Sequence, residues 1–106
     1  MRVRKAQFLQ QIKEIILREE PKAKVYLYGS RARGTQKRHS DWDLLILLDK
    51  PKLTFDDEIK ISDPLYDLEV VSGQAISPQI YSEQEWNTIY KITPYYTNVM
   101  KDGILL

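Results

Sequence analysis

Four residues combine type and spacing in a way that could do chemistry: the pair Gly29-Ser30 and, ten residues further on, Asp41 and Asp43. Side chains alternate along a strand, so Asp41 and Asp43 point to one face and Trp42 between them to the other. Two carboxylates on one face repel each other unless a cation lies between them. All-oxygen ligands of this kind suit Mg²⁺, which takes its remaining ligands from water and phosphate. Two such ions, roughly 3.5–4 Å apart, would stabilise both the attacking and the leaving oxygen of an in-line displacement. Gly29 lets backbone approach a ligand closely, and a helical turn beginning at Ser30 would aim free N–H groups at an anion. Arg31 and Arg33 follow, placed to hold phosphate oxygens.

Such a site is expected to have a third carboxylate, to ligate the catalytic metal and help deprotonate an attacking hydroxyl. Leu65 to Ser72 reads as a strand, with Asp67 and Glu69 two apart on one face. Asp67 opens that strand as Asp41 opens its own and is the expected third ligand. Glu69 is the alternative.

Elements must place these groups. Ala6 to Arg18 has Phe8, Ile12, Ile15 and Ile16 at helical spacing, and Glu20-Pro21 ends it. Lys24 to Tyr28 reads as a strand running into the Gly29 turn. Gly34 to Ser40 is polar and basic, hence a loop. Asp41 to Leu48 reads as a central strand, apolar on both faces in its second half, closed by Pro51. Thr54 is the expected N-cap of a short helix to Ile61, with Phe55 and Ile59 inward. Ser82 to Glu85 has the form of a capping box, and Thr93-Pro94 places a cap before a Pro at the first helical position. The last helix has Tyr96, Val99 and Met100 on one face and stops at Gly103. The order predicts an α/β or α+β fold, a small mixed sheet with helices packed on it.

Length and composition narrow the class. A chain of 106 residues is expected to be one domain spanning 1–106. Lys plus Arg number 16 and Asp plus Glu 15, so any nucleic-acid argument rests on local clusters rather than on net charge. The absence of cysteine excludes disulfides and thiolate metal sites and fits a cytoplasmic chain. The single histidine, His39, excludes a histidine zinc cluster. The apolar run Leu44 to Leu48 is too short to cross a bilayer. The basic start, Met1 to Lys5, is not followed by a signal-peptide apolar stretch. Lys37, Arg38 and His39 read as a solvated loop before they read as a triphosphate or RNA contact. Trp42 reads as core. Trp86, Tyr90, Tyr95 and Tyr96 read as helix packing, with a partner interface as their second use.

The stretch Tyr28-Gly-Ser-Arg-Ala-Arg-Gly34 followed by Ser40-Asp-Trp-Asp-Leu-Leu-Ile46 resembles the signature of the DNA polymerase β-like nucleotidyltransferase superfamily, and within it the minimal nucleotidyltransferase branch. The resemblance implies the polymerase β palm-like fold. Gly29 and Ser30 would bind a triphosphate, Asp41 and Asp43 would ligate two Mg²⁺ ions, and Asp67 would complete the catalytic one. The implied reaction moves a nucleoside monophosphate, from ATP or another nucleoside triphosphate, to a hydroxyl of a protein or nucleic acid. The implied partner is a HEPN-type ribonuclease toxin for which this chain is the antitoxin, with no membrane involved. These 106 residues lack the large helical domain that supplies the base and acceptor pocket in fuller members, which points to a protein partner or self-association. The alternative to an enzyme is a module that senses nucleotide, or binds none, and neutralises its partner by contact.

Overall fold

A computed structural model describes residues 4–106; Met1 to Val3, and with them most of the basic start, lie outside the described residues. The elements run α1 (Lys5–Glu19), β1 (Lys24–Tyr28), α2 (Ser30–Arg33), β2 (Trp42–Leu48), α3 (Phe55–Ser72), β3 (Ile76–Ser82), α4 (Glu83–Trp86), a 3₁₀ turn (Tyr90–Ile92), α5 (Pro94–Asp102) and β4 (Ile104–Leu105). The sheet order is β3-β2-β1-β4. β1 runs antiparallel to both neighbours, and β2 and β3 are parallel. The mixed sheet with helices is the expected class.

The periodicities explain most elements. α1 buries Phe8, Ile12 and Ile16, the stripe its spacing predicts. β2 is central, and Leu44 to Leu48 are all buried, as a strand covered on both faces must be. Its alternate residues enter different cores. Trp42, Leu44, Ile46 and Leu48 pack with α1 and with Ile61 and Leu65 of α3. Leu45 and Leu47 pack with Trp86, Val99 and a ring of tyrosines from the C-terminal third. Each such residue contributes about 1.5–3 kcal/mol through burial, so β2 anchors both layers.

The third strand differs from expectation. Leu65 to Ser72 is not a strand but the second half of α3, an 18-residue helix. Ile61, Leu65 and Leu68 lie at helical spacing against the core, and this stripe overrides the alternation of Asp67-Leu-Glu-Val70. Pro64 sits inside the helix and forfeits one rung of its hydrogen-bond ladder. A parallel β2–β3 pair requires a crossover of a dozen or more residues, and α3 supplies it. The actual strand, Ile76–Ser82, tolerates Pro78 because it is a sheet edge. Phe55, expected inward, is 74% exposed at the first turn of α3.

The caps are as predicted in kind. Thr54 Oγ1 accepts from Asp57 N while Asp57 Oδ2 accepts from Thr54 N, a reciprocal box. Ser82, expected to form a capping box with Glu85, accepts from Glu85 N without the return bond and caps only the four-residue α4, and Thr93 with Pro94 starts α5. The described residues contain no helix long and apolar enough to cross a membrane.

Candidate active site

β1 and β2 pair so that Tyr28 lies opposite Asp43, and the chain turns sharply at Gly29 immediately beyond. Gly29 has φ +75°, a conformation L side chains rarely adopt. A Cβ there would stand 2.3 Å from Asp43 Oδ2. The glycine is therefore required twice, for its backbone angle and because the Asp43 carboxylate occupies the space above it. α2 follows at once, with Gly29 as its N-cap. The turn and the two carboxylates thus meet at one end of the β1–β2 pair, as the sequence spacing implied.

Asp43 is half-buried. Burial first, and then the charge of Asp41, push its carboxyl above the ordinary carboxylate range, while Arg33 opposes the shift. On the other flank β3 places Ser77 beside Asp43, and Ser77 Oγ donates to Asp41 Oδ2 at 3.0 Å.

Asp67 does not join them. It lies on α3, and among the described residues no group of three or more His, Cys, Asp or Glu side chains converges where it could hold a metal. Glu69, the alternative, is engaged elsewhere: its Oε1 accepts from Ile76 N at 2.8 Å and fixes the first residue of β3. The position on β3 beside Asp43 is Ser77, a hydroxyl rather than a carboxylate. The oxygen donors here, two carboxylates with a serine beside them, fit a hard divalent cation.

The arginines divide. Arg31 lies with its guanidinium 4.2 Å from the centre of the Trp42 ring and donates from Nε to Ser40 O at 2.9 Å. Burial lowers its pKa, and Asp41 offsets part of that shift. Trp42 is buried against Phe8 as core, so Arg31 packs on the Trp42 side of the strand while remaining close enough to feel the charge of Asp41. Arg33 stays on the carboxylate side, close enough to favour ionised Asp43, and pairs with Asp102 at 3.0 Å.

The sequence did not single out the wall beside Asp43. Tyr28 OH and Tyr95 OH share a hydrogen bond of 3.1 Å, with their rings edge to face. Burial is the first cause raising both phenols, and Asp43 adds to each, so both are protonated at neutral pH. Tyr95 belongs to a packed group with Trp86, Tyr81, Tyr90 and Tyr96, which confirms packing as the use of these aromatics. Strand parity could have flagged Tyr28, which directly precedes the Gly29 turn. Tyr95 arrives by tertiary folding alone.

A family model described as "Nucleotidyltransferase domain" matches residues 9–101. A comparison with curated proteins gives no match. Among solved structures the chain is similar to a toxin–antitoxin crystallised with AMP-PNP, at 20% identity over 91% of this chain and 70% of that one, TM-score 0.58. It is also similar to two mutants of the MntA-HpeT toxin–antitoxin. One carries a tyrosine-to-alanine change (18% identity, 99% of this chain and 72% of that one, TM-score 0.57). The other has two aspartates replaced by glutamate (18% identity, 97% and 72%, TM-score 0.59). At these identities the likeness is one of fold.

Proposed function

Since the chain belongs to the nucleotidyltransferase domain family, a family of transferases, we propose that it moves AMP from ATP to a hydroxyl of a partner protein and serves as the antitoxin of a HEPN-type toxin in the cytoplasm. The observation that carries the reading is the Gly29 turn seated against Asp43, with Asp41 just before β2 and close enough for its charge to act on Asp43. The toxin–antitoxin context and the AMP-PNP of the similar structures support the partner and the nucleotide.

Asp41 and Asp43 would hold Mg²⁺, and the metal would supply positive charge for the triphosphate. Gly29 and Ser30 would present backbone N–H groups and a hydroxyl to the phosphates, with Arg33 beside them. The acceptor oxygen would form a bond to the α-phosphorus as the bond to the pyrophosphate oxygen breaks, and pyrophosphate would leave. The proton of the acceptor would pass to a carboxylate of the pair or to water. Ser77 would hold Asp41 in place through its hydrogen bond.

The test is transfer from α-labelled ATP with Mg²⁺ to a HEPN-type partner protein, sought first in the reading frames beside this one. Labelling is expected, and Asp43→Asn is expected to lower it by about 10³-fold, the scale on which loss of one electrostatic stabiliser acts. Absence of transfer by a folded, nucleotide-bound protein would sink the reading. One observation favours a second reading, a module that neutralises by contact: β3 carries a serine beside Asp43, and among the described residues no third carboxylate joins the pair in a group that could hold a metal. Under it, the Asp41→Asn, Asp43→Asn double variant would still neutralise the toxin in cells.

A further inference from the structure

The near-zero net charge conceals a strong local imbalance. From Pro21 to Ser40 the chain carries six cations, Lys22, Lys24, Arg31, Arg33, Lys37 and Arg38, and no Asp or Glu. Among the described residues, Lys24, Arg33, Lys50 and Lys60 form the ion pairs. Lys5, Arg31, Lys37 and Arg38 form none there, and all four line one open cleft of about 480 Å³. Gln36 and Gln74 complete its polar wall, and Trp42 supplies its one apolar surface.

The cleft is built rather than incidental. Lys5 Nζ donates to Arg31 O at 3.0 Å and ties the start of α1 to α2. Arg31 is held on the Trp42 ring and by Ser40 O, which leaves its terminal N–H donors free. The loop closes on itself, with Lys37 N donating to Ser40 Oγ at 2.8 Å and Ser40 N to Lys37 O at 3.1 Å. Like charges fixed around one cleft repel, and an anion entering it relieves the repulsion.

We propose that this cleft binds single-stranded nucleic acid along its phosphodiester backbone. Four cations gathered around one open cleft can contact several phosphates of a single strand. The amides of Gln36 and Gln74 can both donate and accept, as contacts to sugars and base edges require. An acidic peptide is the other polyanion that clustered Arg and Lys side chains recognise; the Gln36 and Gln74 amides favour the nucleic-acid strand, and polyglutamate is the discriminating competitor. The cleft lies on the Trp42 side of β2, and Arg31 is the lining residue that also feels the charge of Asp41, so competition with ATP and Mg²⁺ separates the cleft from the transfer reading.

The test is fluorescence anisotropy of a labelled oligouridylate of about 12 nucleotides in a KCl series from about 50 to 200 mM, with log Kobs expected to fall with log salt at a slope of about −2.8, four phosphates at about −0.7 each. Lys37→Gln with Arg38→Gln is expected to bring the slope to about −1.4 and to weaken binding at least about tenfold at about 100 mM KCl, with an unchanged Tm. Binding that is absent at the lowest salt, or unaffected by the double variant, overturns the proposal. So does displacement by polyglutamate of equal charge as readily as by the oligonucleotide, which would assign the cleft to acidic peptides. Full competition by ATP with Mg²⁺ also overturns it, since the cleft would then belong to the triphosphate site.

Discussion

β2 separates two layers that are built differently from alternate residues of the same strand. The layer under Trp42, Leu44, Ile46 and Leu48 is sealed by aliphatic and aromatic side chains from α1 and α3. The opposite layer starts at Asp41 and Asp43, continues through Leu45 and Leu47, and is roofed by tyrosines. A wholly apolar face has only packing to offer. A face that begins in charge needs side chains with an apolar body and a polar tip, which tyrosine provides. The contrast implies that stability and chemistry can be perturbed separately by moving one residue along β2.

The largest effect should come from the sealed layer. Leu44 is fully buried, and Leu44→Ala is expected to cost about 2–5 kcal/mol, read as a lower denaturation midpoint with unchanged slope. Nucleotide affinity, measured by titration well below the new Tm, should hold. A selective loss of nucleotide binding in the folded variant would break the division between layers.

Gly29→Ala comes next, because it strikes where the layers meet. Gly29 has φ +75° and ψ −159°, a region open essentially to glycine alone, so the backbone angle would cost about 1–3 kcal/mol, and the new Cβ would displace the Asp43 carboxylate. Repeating the substitution in an Asp43→Ala background should recover the steric part and leave the backbone part. Equal costs in both backgrounds would show that the carboxylate is not what Gly29 accommodates.

Asp43→Asn should act in the opposite direction on stability. Asp43 titrates above its ordinary range in the folded chain, so the metal-free protein binds this proton more tightly than the unfolded chain does. The group therefore costs stability as pH rises from the ordinary carboxylate range through the raised value. Asp43→Asn should raise Tm at pH 7, and the gain should vanish below about pH 3.9, where both states are protonated. Added Mg²⁺ should raise the wild-type Tm and leave the variant unchanged. A variant less stable than wild type at pH 7 would remove the evidence for repulsion.

The sequence made one layer more legible than the other. Strand parity placed Trp42 and Asp43 on opposite faces of β2, and the Gly29 turn, the Thr54 and Thr93 caps and the α1 stripe were readable from neighbours in the chain. Those features depend on contacts within a few residues. The third strand was misread because Asp67-Leu-Glu-Val70 alternates like a strand, Pro64 resembles a helix terminator, and Pro78 hides the true strand. Only the sheet order, with β3 at an edge, makes both prolines acceptable. Asp67 was lost with that strand. The different directions of Arg31 and Arg33, and the arrival of Tyr95 beside Tyr28, depend on packing between distant segments and leave no local pattern.

Tyr95→Phe tests the roof with the smallest expected effect. The ring remains, so the edge-to-face contact with Tyr28 should persist, and only the 3.1 Å hydroxyl pair is lost. Both tyrosines are half-buried, so water can reach the orphaned Tyr28 hydroxyl, and the cost should be about 0.5–1.5 kcal/mol. Tyr28→Phe should cost a similar amount. The double variant should cost less than the sum, because the shared bond is removed only once. If the phenols serve as a roof, the transfer rate of Tyr95→Phe should stay within about twofold of wild type, since about 0.4 kcal/mol in a barrier changes a rate only that much. A rate loss above about tenfold at unchanged Tm would mean that the Tyr28–Tyr95 pair touches the reacting groups. The carboxylate face would then be active across β1 as well as β2.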